Sequence, residues 1–94
     1  MKEPEQEHEK KTIASWNASL ALTASSWARG EVPSHFARHA VEAATEELGK
    51  EALGHAAAPT IALAHDFQEA VERDDRAAAA RIARELDAQS KALQ

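Results

Sequence analysis

The chain has 94 residues, 44 % of them hydrophobic and 29 % charged, with 3 Gly, 3 Pro and no Cys. That is one folded domain's composition, too apolar for disorder and too poor in Gly and Pro for a loop-rich fold. A formal net charge of −5 argues against nucleic acid, whose phosphates call for Lys and Arg, and against an anionic membrane surface. The lack of cysteine removes disulfides, thiolate catalysis and Cys-ligated zinc or iron–sulfur centres.

Only 4 % of the residues are aromatic, and alanine supplies much of the apolar count, so the predicted core is thin. A thin core in a short chain favours oligomerisation. Nothing apolar follows Met1-Lys2-Glu3-Pro4-Glu5, so no signal peptide is read and the cytoplasm is the expected location. The whole of 1–94 reads as a single helical domain, with 1–11 a charged helix start prone to fraying.

The first predicted helix opens at Pro4, a favoured N1 residue, with Glu3, Glu5 and Glu7 placed to suit its dipole. It runs to Arg29 and stops at Gly30, a typical C′ residue. Ile13, Trp16, Leu20, Ala24 and Trp27 recur at helical spacing and form a seam for the core. Opposite them lie Ala14, Ala18, Ala21, Leu22 and Ser25. From Thr12 through Ala28 no residue is charged, while Lys11 and Arg29 bracket the run. Its serines, threonines and Asn17 make it too polar to span a membrane.

Pro33 and Ser34 open the second predicted helix, which the pattern carries to about Leu53, ending at Gly54. Ala37, Val41, Ala44, Leu48 and Ala52 form its stripe, with Phe36 and Ala40 on one flank. Leu53 misses that stripe unless the helix breaks at Gly49. Pro59 and Thr60 open the third helix, whose stripe is Leu63, Phe67, Ala70 and Val71. Asp74 or Asp75 then caps a fourth, in which Ala78, Ala79, Ile82, Leu86 and Leu93 face inward and Arg81, Arg84, Asp87 and Lys91 face away. The junction Arg73-Asp74-Asp75 is a tight turn or a kink. The predicted fold is all-α: a small three- or four-helix antiparallel bundle that dimerisation would complete.

Candidate chemistry is sparse. His35 and His39 stand at i and i+4, the spacing at which two imidazoles share an ion, and Glu42 follows three residues on. His65 precedes Glu69 and Glu72 in a similar way. These histidines sit opposite their helices' stripes, where a solvated polar face is the expected reading. Glu5-x-x-His8 matches half of a carboxylate-bridged di-iron motif, but the second copy is missing. No Gly-x-Ser-x-Gly elbow and no Gly-rich phosphate loop occur. No cofactor and no enzyme are therefore predicted. The predicted role is a non-enzymatic interaction or regulatory module acting through a helix face, on itself as a homodimer or on another protein. Trp16, Leu20, Leu22 and Trp27 are the interface candidates. The alternative is a metal- or small-ligand-binding bundle that uses His35, His39 and Glu42, or a groove beside Trp16 and Trp27.

Overall fold

The computed structural model describes residues 4–50 and 55–93, with side chains from Glu7 onward. It contains α1 (Pro4–Ala28), α2 (Ser34–Leu48), α3 (Ala58–Glu72) and α4 (Arg76–Ala92), and no strand among the described residues. Among the described residues the helix count thus resolves to four. Neighbours along the chain pack together, and the ring is closed by α1 lying along α4, the most extensive contact in the molecule. α1 also touches α3 across the bundle, whereas α2 and α4 do not meet. At 25 residues, α1 is about 37 Å long and dominates a body of 47 × 22 × 17 Å.

The predicted stripes supply the core. Ile13, Leu20, Ala24 and Trp27 are buried on α1, and Ala37, Val41, Ala44 and Leu48 on α2. Leu63, Phe67, Ala70 and Val71 follow on α3, then Ala79, Ile82 and Leu86 on α4, with Ala78 and Leu93 half-buried. Ala83, outside the predicted stripe, and Ala14 and Ala21, expected on the opposite side of α1, are buried as well, because α4 lies along that side. Burying each leucine or phenylalanine contributes about 1.5–3 kcal/mol, while the alanines let the helix axes approach closely. Among the described residues no helix is long and apolar enough to cross a membrane.

The connections follow from local chemistry. Gly30 takes φ +76°; its N–H bonds the Trp27 carbonyl at 2.9 Å and that of Glu31 the Ser26 carbonyl at 2.8 Å. This is a Schellman motif, in which the left-handed residue lets two terminal carbonyls find partners. The same motif ends α3, with Asp74 in the left-handed position at φ 55° and the Asp75 N–H on the Ala70 carbonyl at 2.8 Å. Arg73-Asp74-Asp75 is therefore a tight turn. Asp75 is the residue that caps α4, its side chain accepting from the Ala78 N–H at 3.0 Å.

The second helix is shorter than its apolar pattern suggests. α2 stops at Leu48, with Gly49 as its C-cap, rather than continuing to Leu53. Glycine is about 1 kcal/mol less favourable than alanine inside a helix, and Ala52 alone gives little reason to continue past it. Ala52, Leu53 and Gly54 lie outside the described residues.

Candidate functional site: the outer face of α1 and α4

Trp27 anchors the end of α1 to every other helix. It is wholly buried, and its ring meets Phe67 of α3 edge-on at 6.2 Å between centroids. Its indole Nε1 donates to the Ser34 hydroxyl at the start of α2 at 3.0 Å. The Arg76 guanidinium of α4 lies 4.0 Å over the ring and donates to the Trp27 carbonyl. At the other end of the α1–α4 contact, the Ser90 hydroxyl donates to the Ala14 carbonyl at 3.0 Å. These ties fix the antiparallel register and bring Ala18 about level with the Glu85–Leu86 step of α4.

Between them runs a polar link inside the core. Asn17 is fully buried; its Nδ2 donates to the Ile13 carbonyl at 3.1 Å, and its Oδ1 accepts from the Thr60 hydroxyl at 3.0 Å. Thr60 also lies 3.4 Å from Oε1 of Gln89. No buried side-chain N or O lacks a partner among the described residues. The sequence reading overlooked this link although a signal was there, since Asn17 sits four residues after Ile13 and three before Leu20, on the core seam itself.

The four interface candidates part company here. Leu20 and Trp27 belong to the chain's own core, and Trp16 is half-buried against it. Leu22 projects into solvent, 68 % exposed. It stands beside a depression of about 510 Å³ between α1 and α4, floored by Ala18, Ala21, Ser25, Ala80 and Ala83 and rimmed by Arg29, Arg84 and Asp87. A second depression of about 630 Å³ adjoins it at Ala18, formed by Ala14, Ser15 and Leu93 with Glu7, Lys10 and Lys11 around it.

The α1 half of this face is free of charge between Thr12 and Ala28, whereas the α4 half sets Arg84 and Asp87 beside Ala18. Ser15, Ala18, Ser19 and Leu22 are the exposed residues of α1 between Thr12 and Ala28, and none is ionisable. At the border Arg29 pairs with Glu31 at 3.0 Å and donates to the Ser25 hydroxyl at 2.5 Å. The hydrogen bond from Arg29 holds the Glu31 carboxyl below its ordinary range. On α4, Asp87 pairs with Lys91 at 3.0 Å.

The histidines do not converge. His35, His39 and Glu42 are all exposed on α2, as are His65, Glu69 and Glu72 on α3, with Glu69 turned to Arg73 at 3.6 Å. His8 is exposed on α1, and the side chain of Glu5 lies outside the described residues. Among the described residues no group of three or more His, Cys, Asp or Glu is placed to hold a metal ion. Trp27 is enclosed, and the two depressions beside α1 are lined by residues other than the tryptophans. No protein family, curated protein or solved structure matches this chain.

Proposed function

We propose that this chain is a non-enzymatic helical interaction module whose working surface is the outer face of α1 and α4. The observation that carries the reading is an exposed leucine on a helix face without charge. A solvated helix face ordinarily carries Lys, Glu or Arg, which favour both helix and solubility. Here the same positions are serine and alanine around Leu22. Depletion of charge along the middle of α1, with charged groups at its ends and on the neighbouring α4, is the pattern of a protein-binding patch.

Light scattering at micromolar concentration tests this. The chain is expected to form species heavier than its 10.2 kDa, and Leu22→Glu is expected to return it to that mass with helix content unchanged. A wild-type chain that stays at monomer mass, indistinguishable from Leu22→Glu, contradicts the reading. Trp27→Glu is no probe of this surface, because burying a carboxylate in place of the indole unfolds the core.

A further inference from the structure

We infer that the partner is a second copy of this chain, bound antiparallel across a two-fold axis at Ala18; the inference rests on the working surface proposed above. The case begins with the order of residues along the outer stripe of α1. Glu7, Lys11, Ala14, Ala18, Leu22, Ser25 and Arg29 recur at helical spacing on one side of the helix, with Ala14 buried at the floor of the second depression. About Ala18 the stripe is symmetric in position. Ala14 and Leu22 lie four residues to either side, Lys11 and Ser25 seven, Glu7 and Arg29 eleven.

A two-fold axis through Ala18 therefore exchanges these pairs between copies. The protruding Leu22 meets the depression around Ala14 and Ser15 of the second copy, and the reverse contact forms by symmetry. The two depressions share Ala18 as a wall, so one face carries both projection and recess. Ala18, among the smallest side chains, occupies the point of closest helix approach.

Charge selects the direction. In the antiparallel arrangement Glu7 lies against Arg29 of the second copy, whereas a parallel one sets Glu7 against Glu7 and Arg29 against Arg29. Both residues already have contacts in their own chain, yet a carboxylate accepts several donors and a guanidinium offers five. α4 obeys the same operation without adjustment. Its register against α1 puts the axis between Glu85 and Leu86, so Arg84 of each copy faces Asp87 of the other. Arg84 has no ion-pair partner among the described residues, and Asp87 is held only by the exposed Lys91.

The chain has no cysteine, so disulfide trapping reads the geometry directly. Ala18→Cys is expected to cross-link to itself under mild oxidation, because only a residue on the axis brings its two copies within about 4.4–6.8 Å between Cα atoms. Ser15→Cys and Leu22→Cys are expected to cross-link when mixed, and His39→Cys on α2 to give no dimer. Arg84→Asp is expected to weaken association about tenfold through the loss of two exposed pairs, with recovery when Asp87→Arg is added. A dimer that Leu22→Glu disperses, but that gives no Ala18→Cys disulfide and ignores the Arg84 and Asp87 exchange, overturns the two-fold arrangement and leaves the working surface standing. A chain that is monomeric throughout overturns both.

Discussion

α1 and α2 bury comparable stripes and differ on the side that faces away. α2 presents His35, Phe36, Arg38, His39, Glu42 and Glu46 to solvent, a mixed and largely ionisable face. Over its central turns α1 presents Ser15, Ala18, Ser19 and Leu22. Serine is a poorer helix former than Glu, Lys or Arg by a few tenths of a kcal/mol per residue. Ala18 and Leu22 are strong helix formers, so what sets the outer face of α1 apart is its lack of charge rather than its helix propensity. Both helices answer to the same core, so the difference between them has to be explained outside it.

The largest expected effect breaks what the two helices share. Trp27→Ala removes a buried ring, the bond to Ser34 and the seat of Arg76, and is expected to cost about 3–5 kcal/mol. Denaturant unfolding followed by circular dichroism should show the helices lost in one transition at lower denaturant; a loss below about 1 kcal/mol would mean Trp27 is no anchor.

Asn17→Ala comes next, at about 1–3 kcal/mol, because it removes the closer acceptor of the Thr60 hydroxyl in the core and leaves it only the longer contact to Gln89. A double-mutant cycle with Thr60→Val checks that the cost belongs to this pair. Additive losses would show that the two side chains act independently.

The outer faces are then compared with one substitution each. Ala18→Glu on α1 and His39→Glu on α2 are both expected to leave the unfolding free energy of the monomer within about 0.5 kcal/mol. Only the first should abolish self-association in sedimentation. Equal effects on association from both would erase the distinction between the faces.

The smallest effect is electrostatic and local to the border of the α1 face. Because the Glu31 carboxyl is held below its ordinary value by Arg29, their pairing is present above the usual carboxylate range and is lost as pH falls through the lowered value. An NMR titration should find a low Glu31 midpoint that rises in Arg29→Gln. An unchanged midpoint would show that the pair does not persist in solution.

Much of this was legible in the sequence because period and punctuation are local. The spacing of Val41, Ala44 and Leu48, the left-handed Gly30 and the cap at Asp75 are each set by a few neighbouring residues. The end of α2 is not fixed by its pattern, because two local signals compete there, Ala52 continuing the stripe and Gly49 weakening the helix. Leu20 and Trp27 show a different limit. A helical wheel gives a direction for each side chain, but which side the rest of the chain covers depends on long-range ties such as Ser90 to Ala14 and Arg76 to Trp27. The same ties set Arg84 and Asp87 beside Ala18, a juxtaposition with no trace in either helix alone.

The central claim concerns two exposed apolar side chains, Leu22 at 68 % on α1 and Phe36 at 48 % on α2. Sedimentation velocity of Leu22→Glu beside Phe36→Glu, at equal concentration and with matched helix content, tests it most directly. The account predicts that Phe36→Glu sediments with the associated wild-type chain and Leu22→Glu as the 10.2 kDa monomer. Association that survives Leu22→Glu, or that is lost with Phe36→Glu alone, would contradict it.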